Sequence, residues 1–219
     1  MSDADEAEED WKNVWRVVKL VAGDAEHSVA IGGVAVYLQS KAIRDIEPEY
    51  THDVDLSIDT VALSNLEYDF DVVRNPRLHK RELQTHGVDV DLYLSKESHL
   101  RVDYKELSQF SKLINKVRVA CPEHLLLLKL PALAERWESS HGEKDRRDVA
   151  KLMVLMHDDG WDEDILLPAL DDSDLALLER VVKSNVFQQL AHRNAKRARR
   201  LRVKAKGFLE EVNDALEDD

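Results

Sequence analysis

The sequence predicts an α+β fold: a mixed sheet with helices over residues 11–121, then an all-helical region over residues 122–219 that ends in a long basic helix. Three observations predict it. Two stretches alternate apolar and polar residues with the period of a strand, Asp53-Val54-Asp55-Leu56-Ser57-Ile58-Asp59 and Val88-Asp89-Val90-Asp91-Leu92-Tyr93-Leu94. A diglycine, Gly32-Gly33, separates a short β-branched run at 28–31 from an apolar run at 34–38, as in a strand followed by a helix. From Pro122 onward the strand-like alternation stops, and apolar residues recur at helical spacing.

Taken in order, residues 1–10 hold too few apolar side chains to bury and are expected to be a disordered acidic lead-in. Trp11, Val14, Trp15, Val18 and Val21 then follow the helical period, and Gly23 is its stop. After the strand at 28–31 and its helix, a loop of mixed charge containing Pro48 leads to the strand at 53–59. Residues 60–68 fit a short helix, Asn75-Pro76 a turn, and residues 79–94 a hairpin bent at His86-Gly87. A further apolar segment runs through 114–120. Pro122 and Glu123 suit the first turn of a helix, and residues 125–137 are apolar enough to be buried on most sides. Ser139-Ser140-His141-Gly142 breaks that helix. Others are expected over 143–156, 175–184 and 186–216.

At 219 residues the chain suits one large domain or two modest ones, and its single cysteine, Cys121, excludes a disulfide framework and points to a reducing compartment. The acidic start lacks an apolar signal core, and no run approaches the roughly 20 apolar residues of a membrane span. A cytoplasmic protein without membrane partners is expected. Acidic residues number 44 against 31 basic, a net charge of −13, which argues against indiscriminate nucleic-acid binding by the whole surface. The sign is uneven, however. No acidic residue lies between Glu179 and Glu210, while Arg193, Lys196, Arg197, Arg199, Arg200, Arg202, Lys204 and Lys206 fall within 14 positions. This basic helix, 193–206, is expected to track the phosphates of an RNA or DNA acceptor with salt-sensitive affinity, or else to dock on an acidic protein surface.

Alternation puts Asp53, Asp55, Ser57 and Asp59 on one face of their strand, and Asp89, Asp91 and Tyr93 on one face of theirs. If both strands lay their apolar faces on a common core, carboxylates from both gather opposite. Like charges so crowded repel, and a divalent cation reconciles them. Such a set suits two-metal nucleotidyl transfer, in which ions about 3.5–4 Å apart activate a hydroxyl and neutralise a triphosphate and its leaving pyrophosphate. Asp53 and Asp55 would hold the metals, and Asp91 would complete the set with Asp89 as the alternate. Gly32-Gly33 admits two readings, backbone amides brought close to a phosphate or a tight turn with close packing. Lys129, inside a leucine run, either meets an anion or snorkels to water. His52, by alternation, turns to the apolar side with Val54. Arg136 and Asp145 read as a surface ion pair between adjacent helices.

On these residues the sequence resembles the nucleotidyltransferase superfamily of the DNA polymerase β type. The match is Ile31-Gly32-Gly33 with the helix after it, Thr51-x-Asp53-x-Asp55-Leu56, and Asp91. It looks closest to the AbiEii and MenT toxins of type IV toxin-antitoxin systems. A second block, Pro122-Glu123-His124-Leu125, Lys129-Leu130, Ala132-Leu133, Arg136, then Lys144-Asp145 and Asp148, is similar to that branch's helical motif. The resemblance implies that Gly32, Gly33 and Thr51 hold the nucleotide, that Asp53, Asp55 and Asp91 bind two Mg²⁺ ions for which Mn²⁺ can substitute, and that Lys129 contacts the triphosphate with Arg136 near it. Asp145, or Asp148 close behind, matches the acidic position of the helical motif. It further implies a nucleoside triphosphate such as ATP as donor, an RNA or tRNA hydroxyl as acceptor, and an antitoxin protein as partner. One position departs from the pattern. Where the family commonly has an arginine, this chain has Glu49, with Arg44 the nearest substitute, and a nucleotide- or partner-binding module of weakened chemistry is the alternative.

Overall fold

The computed structural model describes residues 3–23, 25–40 and 53–218. The chain has the α+β architecture expected, and it divides into two compact units. The first holds α1 (Asp3–Val21), β1 (Ser28–Ile31), α2 (Gly32–Ser40), β2 (Asp53–Ile58), α3 (Thr60–Asp69), β3 (Val73–Asn75), β4 (Lys80–Thr85), β5 (Val88–Leu94), α4 (Tyr104–Gln109), β6 (Lys112–Ile114) and β7 (Val117–Val119). Its strands form one mixed sheet in the order β3-β4-β5-β2-β1-β7-β6. Strands β2 and β5 run parallel, as do β1 and β7, while the other neighbours are antiparallel.

The alternating stretches bury their apolar face. Val54, Leu56, Ile58, Val90 and Leu92 are fully buried, each burial contributing roughly 1.5–3 kcal/mol. The helix α1 packs against β2 and β5, with Val14, Val17, Val18 and Val21 buried along one stripe. It starts at Asp3, whereas a disordered lead-in through residue 10 was expected. Low apolar content removes a core from that stretch, but its alanines and glutamates are strong helix formers that extend a helix already nucleated at Trp11. The hairpin at His86-Gly87 forms as read, and α4 and the β6–β7 hairpin subdivide segments the sequence left coarse.

The second unit carries α5 (Pro122–Arg136), α6 (Ser140–Asp159), α7 (Glu163–Leu166), a 3₁₀ turn at Leu167–Ala169, α8 (Asp172–Lys183), α9 (Val186–Leu190) and α10 (Ala195–Asp218). Leu125, Leu126, Leu127, Leu130 and Leu133 of α5 are fully buried, as are Met153 and Met156 of α6 and Phe208 of α10. The helix breaks ahead of Ser140-His141-Gly142, at 137–139, much as expected, but the next one starts at Ser140 rather than 143. Ser139 Oγ accepts from the Gly142 N–H at 3.0 Å as an N-cap. A Cβ on Gly142 would lie 2.0 Å from the Arg136 carbonyl oxygen, so glycine lets α6 leave α5 closely. The single long helix expected over 186–216 is two helices. His192 and Arg193 sit at φ 46° and 64°, and Asn194 Oδ1 accepts from the Arg197 N–H at 3.0 Å to cap the start of α10. Among the described residues no helix is long and apolar enough to cross a membrane.

Candidate active site: a carboxylate row on the sheet

Parallel pairing sets Asp53 opposite Asp89 and Asp55 opposite Asp91. The antiparallel neighbour β4 then adds Glu82 opposite Asp91 and Gln84 opposite Asp89. With a side-chain period of 2 and the other face buried, all six project from the same side of three adjacent strands. All of them but Asp55 line a cleft of about 670 Å³, together with Asp71 and Lys80. Asp53, Asp55 and Asp91 are half-buried, and Asp89 is exposed. The structure thus brings the three carboxylates picked from the sequence onto neighbouring strands.

Gly32 explains itself in this geometry. Its φ is +63°, and a Cβ there would lie 2.0 Å from Asp55 Oδ2. Of the two readings of the diglycine, close packing is what Gly32 displays, and what it packs against is the site's own carboxylate. The first residue of α2 is thereby pinned beside Asp55. The Tyr93 hydroxyl, on the neighbouring strand, donates to Asp55 Oδ1 at 3.4 Å. Asp59 leaves the row. It caps α3, accepting from Val61 and Ala62 N–H at 2.8 and 3.0 Å, and pairs with His27 Nδ1 at 2.6 Å. Burial would raise its pKa, but these backbone and histidine hydrogen bonds outweigh it and hold the carboxyl below its ordinary value.

Sequence reasoning missed Lys80. Its ammonium donates to Asp91 Oδ2 at 2.6 Å and pairs with Glu82 Oε1 at 3.0 Å, while Asn75 Nδ2 holds the same Glu82 oxygen at 2.9 Å. Burial foremost pushes the Asp91 carboxyl up, and the charges of Glu82 and Asp53 add to it against the pull of Lys80. Burial works to lower the Lys80 ammonium, yet its bonds to Asp91 and Glu82 raise it overall. The crowd of carboxylates demands positive charge. Among the described residues no three His, Cys, Asp or Glu side chains converge on one point that could hold an ion. The donor set still fits Mg²⁺, a hard cation that keeps several waters and takes one or two carboxylates together with substrate phosphates.

The helical unit holds the other candidates. Lys129 Nζ lies 3.1 Å from Asp145 Oδ1 and 2.9 Å from Asp148 Oδ2, and the Arg136 Nε–H donates to Asp145 Oδ2 at 2.6 Å. Lys151, fully buried, sits 3.5 Å from Asp148 Oδ1. The expected surface pair of Arg136 and Asp145 is instead anchored on a carboxylate only 1 % exposed. Lys129 has met its anions within its own unit. Burial works to raise the Asp145 carboxyl, but the charges and hydrogen bonds of Lys129 and Arg136 prevail and hold it below its ordinary 3.8. A carboxyl lowered on folding adds stability above its unfolded value and loses it on acidification, so the Asp145 contribution is complete above about pH 3.8 and fades below it. Asp145→Ala removes a buried carboxylate that serves both Lys129 and Arg136, while Asp148 still faces Lys129, and is expected to lower unfolding free energy by roughly 1–3 kcal/mol in urea melts.

The basic stretch is less uniform than its composition. Arg202 donates to the Ser184 carbonyl at 2.7 Å and to Gln188 Oε1 at 3.2 Å, Lys204 pairs with Asp158 at 2.6 Å, and Lys206 with Glu210 at 2.5 Å. Arg193 lies in the turn before α10, and Arg193, Lys196 and Arg199 are exposed. Thr51, with Arg44, Glu49 and His52, lies outside the described residues.

No protein-family model matches the chain, and no curated protein matches it. Solved structures do. JHP933 from Helicobacter pylori superposes with a TM-score of 0.53 at 15% identity, covering 100% of this chain and 97% of that one. A structure from H. pylori put forward as a nucleotidyltransferase gives 0.52 at 16%, covering 98% and 99%. An antigenic nucleotidyltransferase-like protein from Paracoccidioides brasiliensis gives 0.50 at 19%, covering 82% and 92%. At these identities the likeness is one of fold, and the chain folds like nucleotidyltransferase-like proteins.

Proposed function

We propose that this chain is a Mg²⁺-dependent nucleotidyltransferase that moves a nucleoside monophosphate from a nucleoside triphosphate to an acceptor hydroxyl. The observation that carries the reading is the pairing of Asp53-x-Asp55 with Asp89-x-Asp91 across two parallel strands, with Gly32 seating the Asp55 carboxylate. In the reaction the hydroxyl oxygen bonds to the α-phosphorus, the α–β phosphoanhydride bond breaks, pyrophosphate leaves, and the hydroxyl proton passes to solvent or a carboxylate. Mg²⁺ would be held by the carboxylates of this row, Asp53 and Asp55 foremost, and would supply charge neutralisation of the triphosphate and a lowered pKa for the hydroxyl. The chain's own part is to fix carboxylates on rigid strands, which holds the reacting groups in line. Incubation with α-labelled triphosphates, Mg²⁺ and total RNA should transfer label; no label in RNA, protein or small molecules overturns the reading.

The finer reading is an RNA acceptor, tRNA among them, bound at the exposed cations before and along α10. It is supported by Arg193, Lys196 and Arg199 facing solvent in a chain of net charge −13. Lys196→Glu with Arg199→Glu is expected to weaken RNA binding about tenfold or more and to flatten its salt dependence by roughly two phosphate contacts. Filter binding across a salt series measures both. The resemblance to type IV toxins extends the proposal to growth arrest relieved by an antitoxin protein.

A further inference from the structure

The carboxylate row already contains a cation, and it is covalently part of the chain. Lys80 is the first residue of β4, hydrogen-bonded along β5, so its backbone is fixed one strand away from Asp91. Its side chain is only 13% exposed, and its ammonium lies within 3.0 Å of carboxylates on both strands, Asp91 and Glu82. Glu82 is tied down in turn by Asn75. A surface lysine would scatter over many rotamers. This one is held by two charge-assisted contacts where water is scarce, the setting in which such contacts are strongest.

We infer that Lys80 is a positioning residue whose ammonium takes the place at Asp91 of the second divalent ion, so that the site accepts one divalent ion, on the Asp53 and Asp55 side. The inference rests on the nucleotidyl-transfer reading. A divalent ion on Asp91 would have to share that carboxylate with an ammonium 2.6 Å away, and like charges so close repel. Asp53 and Asp55 lie on β2, a strand farther from Lys80, with the Asp55 carboxylate fixed by Gly32 and Tyr93. The same arrangement accounts for the lack of a three-carboxylate focus among the described residues. With Lys80 absent, Asp91, Glu82 and Asp53 would form a cluster that only a further cation could neutralise.

The test is a count of bound Mn²⁺, using the metal alone with full-length protein and reading free Mn²⁺ by electron paramagnetic resonance. Wild type and Lys80→Arg are expected to bind one ion, and Lys80→Met two. Thermal melting confirms that each variant is folded, and Lys80→Gln serves if the methionine variant is not. The wild-type count stands without any variant. Two ions in wild type, or one ion in folded Lys80→Met, overturns the inference and leaves the transfer reading intact. No ion in wild type overturns it as well, and the labelled-transfer assay then shows whether the transfer reading falls with it.

Discussion

Asp55→Asn is expected to lower nucleotidyl transfer by about a thousandfold or more in kcat/KM, since it removes charge that matters most as the triphosphate's own charge redistributes. The substitution keeps shape. Asn fills the space beside Gly32 that the carboxylate fills, so stability should change by less than about 1 kcal/mol. Loss of activity with an unchanged melting curve therefore separates chemistry from folding. Asp53→Asn should behave alike. If Asp55→Asn retains most of its activity, the carboxylate row is not the reaction centre.

The second large effect belongs to Gly32→Ala. The substitution meets two independent obstacles, a φ of +63° that L side chains rarely adopt and a Cβ that would stand 2.0 Å from Asp55 Oδ2. The backbone strain alone costs roughly 1–3 kcal/mol. Relief requires Asp55 or the start of α2 to move by about an ångström, and a misplacement of that size costs on the order of a hundredfold in rate. Melting temperature and kcat/KM should fall together. A stable Gly32→Ala enzyme of full activity would show that the Asp55 carboxylate need not sit where it does.

Much of this was legible in the sequence because a strand writes its period into the chain. Asp53, Asp55, Asp89 and Asp91 alternate with fully buried aliphatics, and a two-residue period admits one assignment of faces. Gly32 could be flagged as costly but not explained, since what fills the space of its absent side chain is a residue 23 positions later. Lys80 was within reach: counting back from the His86-Gly87 turn pairs Thr85 with Val88, Gln84 with Asp89 and Glu82 with Asp91, which puts Lys80 on the site's face. Asp59 was misplaced because strand alternation was carried one residue too far, past the point where Asp59 caps α3. The break between α9 and α10 was hidden by composition, as His192 and Arg193 adopt left-handed backbone where no glycine or proline announces it. The pairing of Arg136 with Asp145 between adjacent helices was legible, but its burial with Lys151 was not, because periodicity along one helix does not report how deeply a neighbour covers it.

The most direct test is a crystal grown with a nonhydrolysable nucleoside triphosphate and Mn²⁺, read by anomalous scattering. The arrangement described here predicts a manganese peak within about 2.0–2.3 Å of an Asp55 carboxylate oxygen, with triphosphate oxygens completing its shell. Triphosphate and manganese bound elsewhere, with Asp53, Asp55 and Asp91 touching neither, would contradict it.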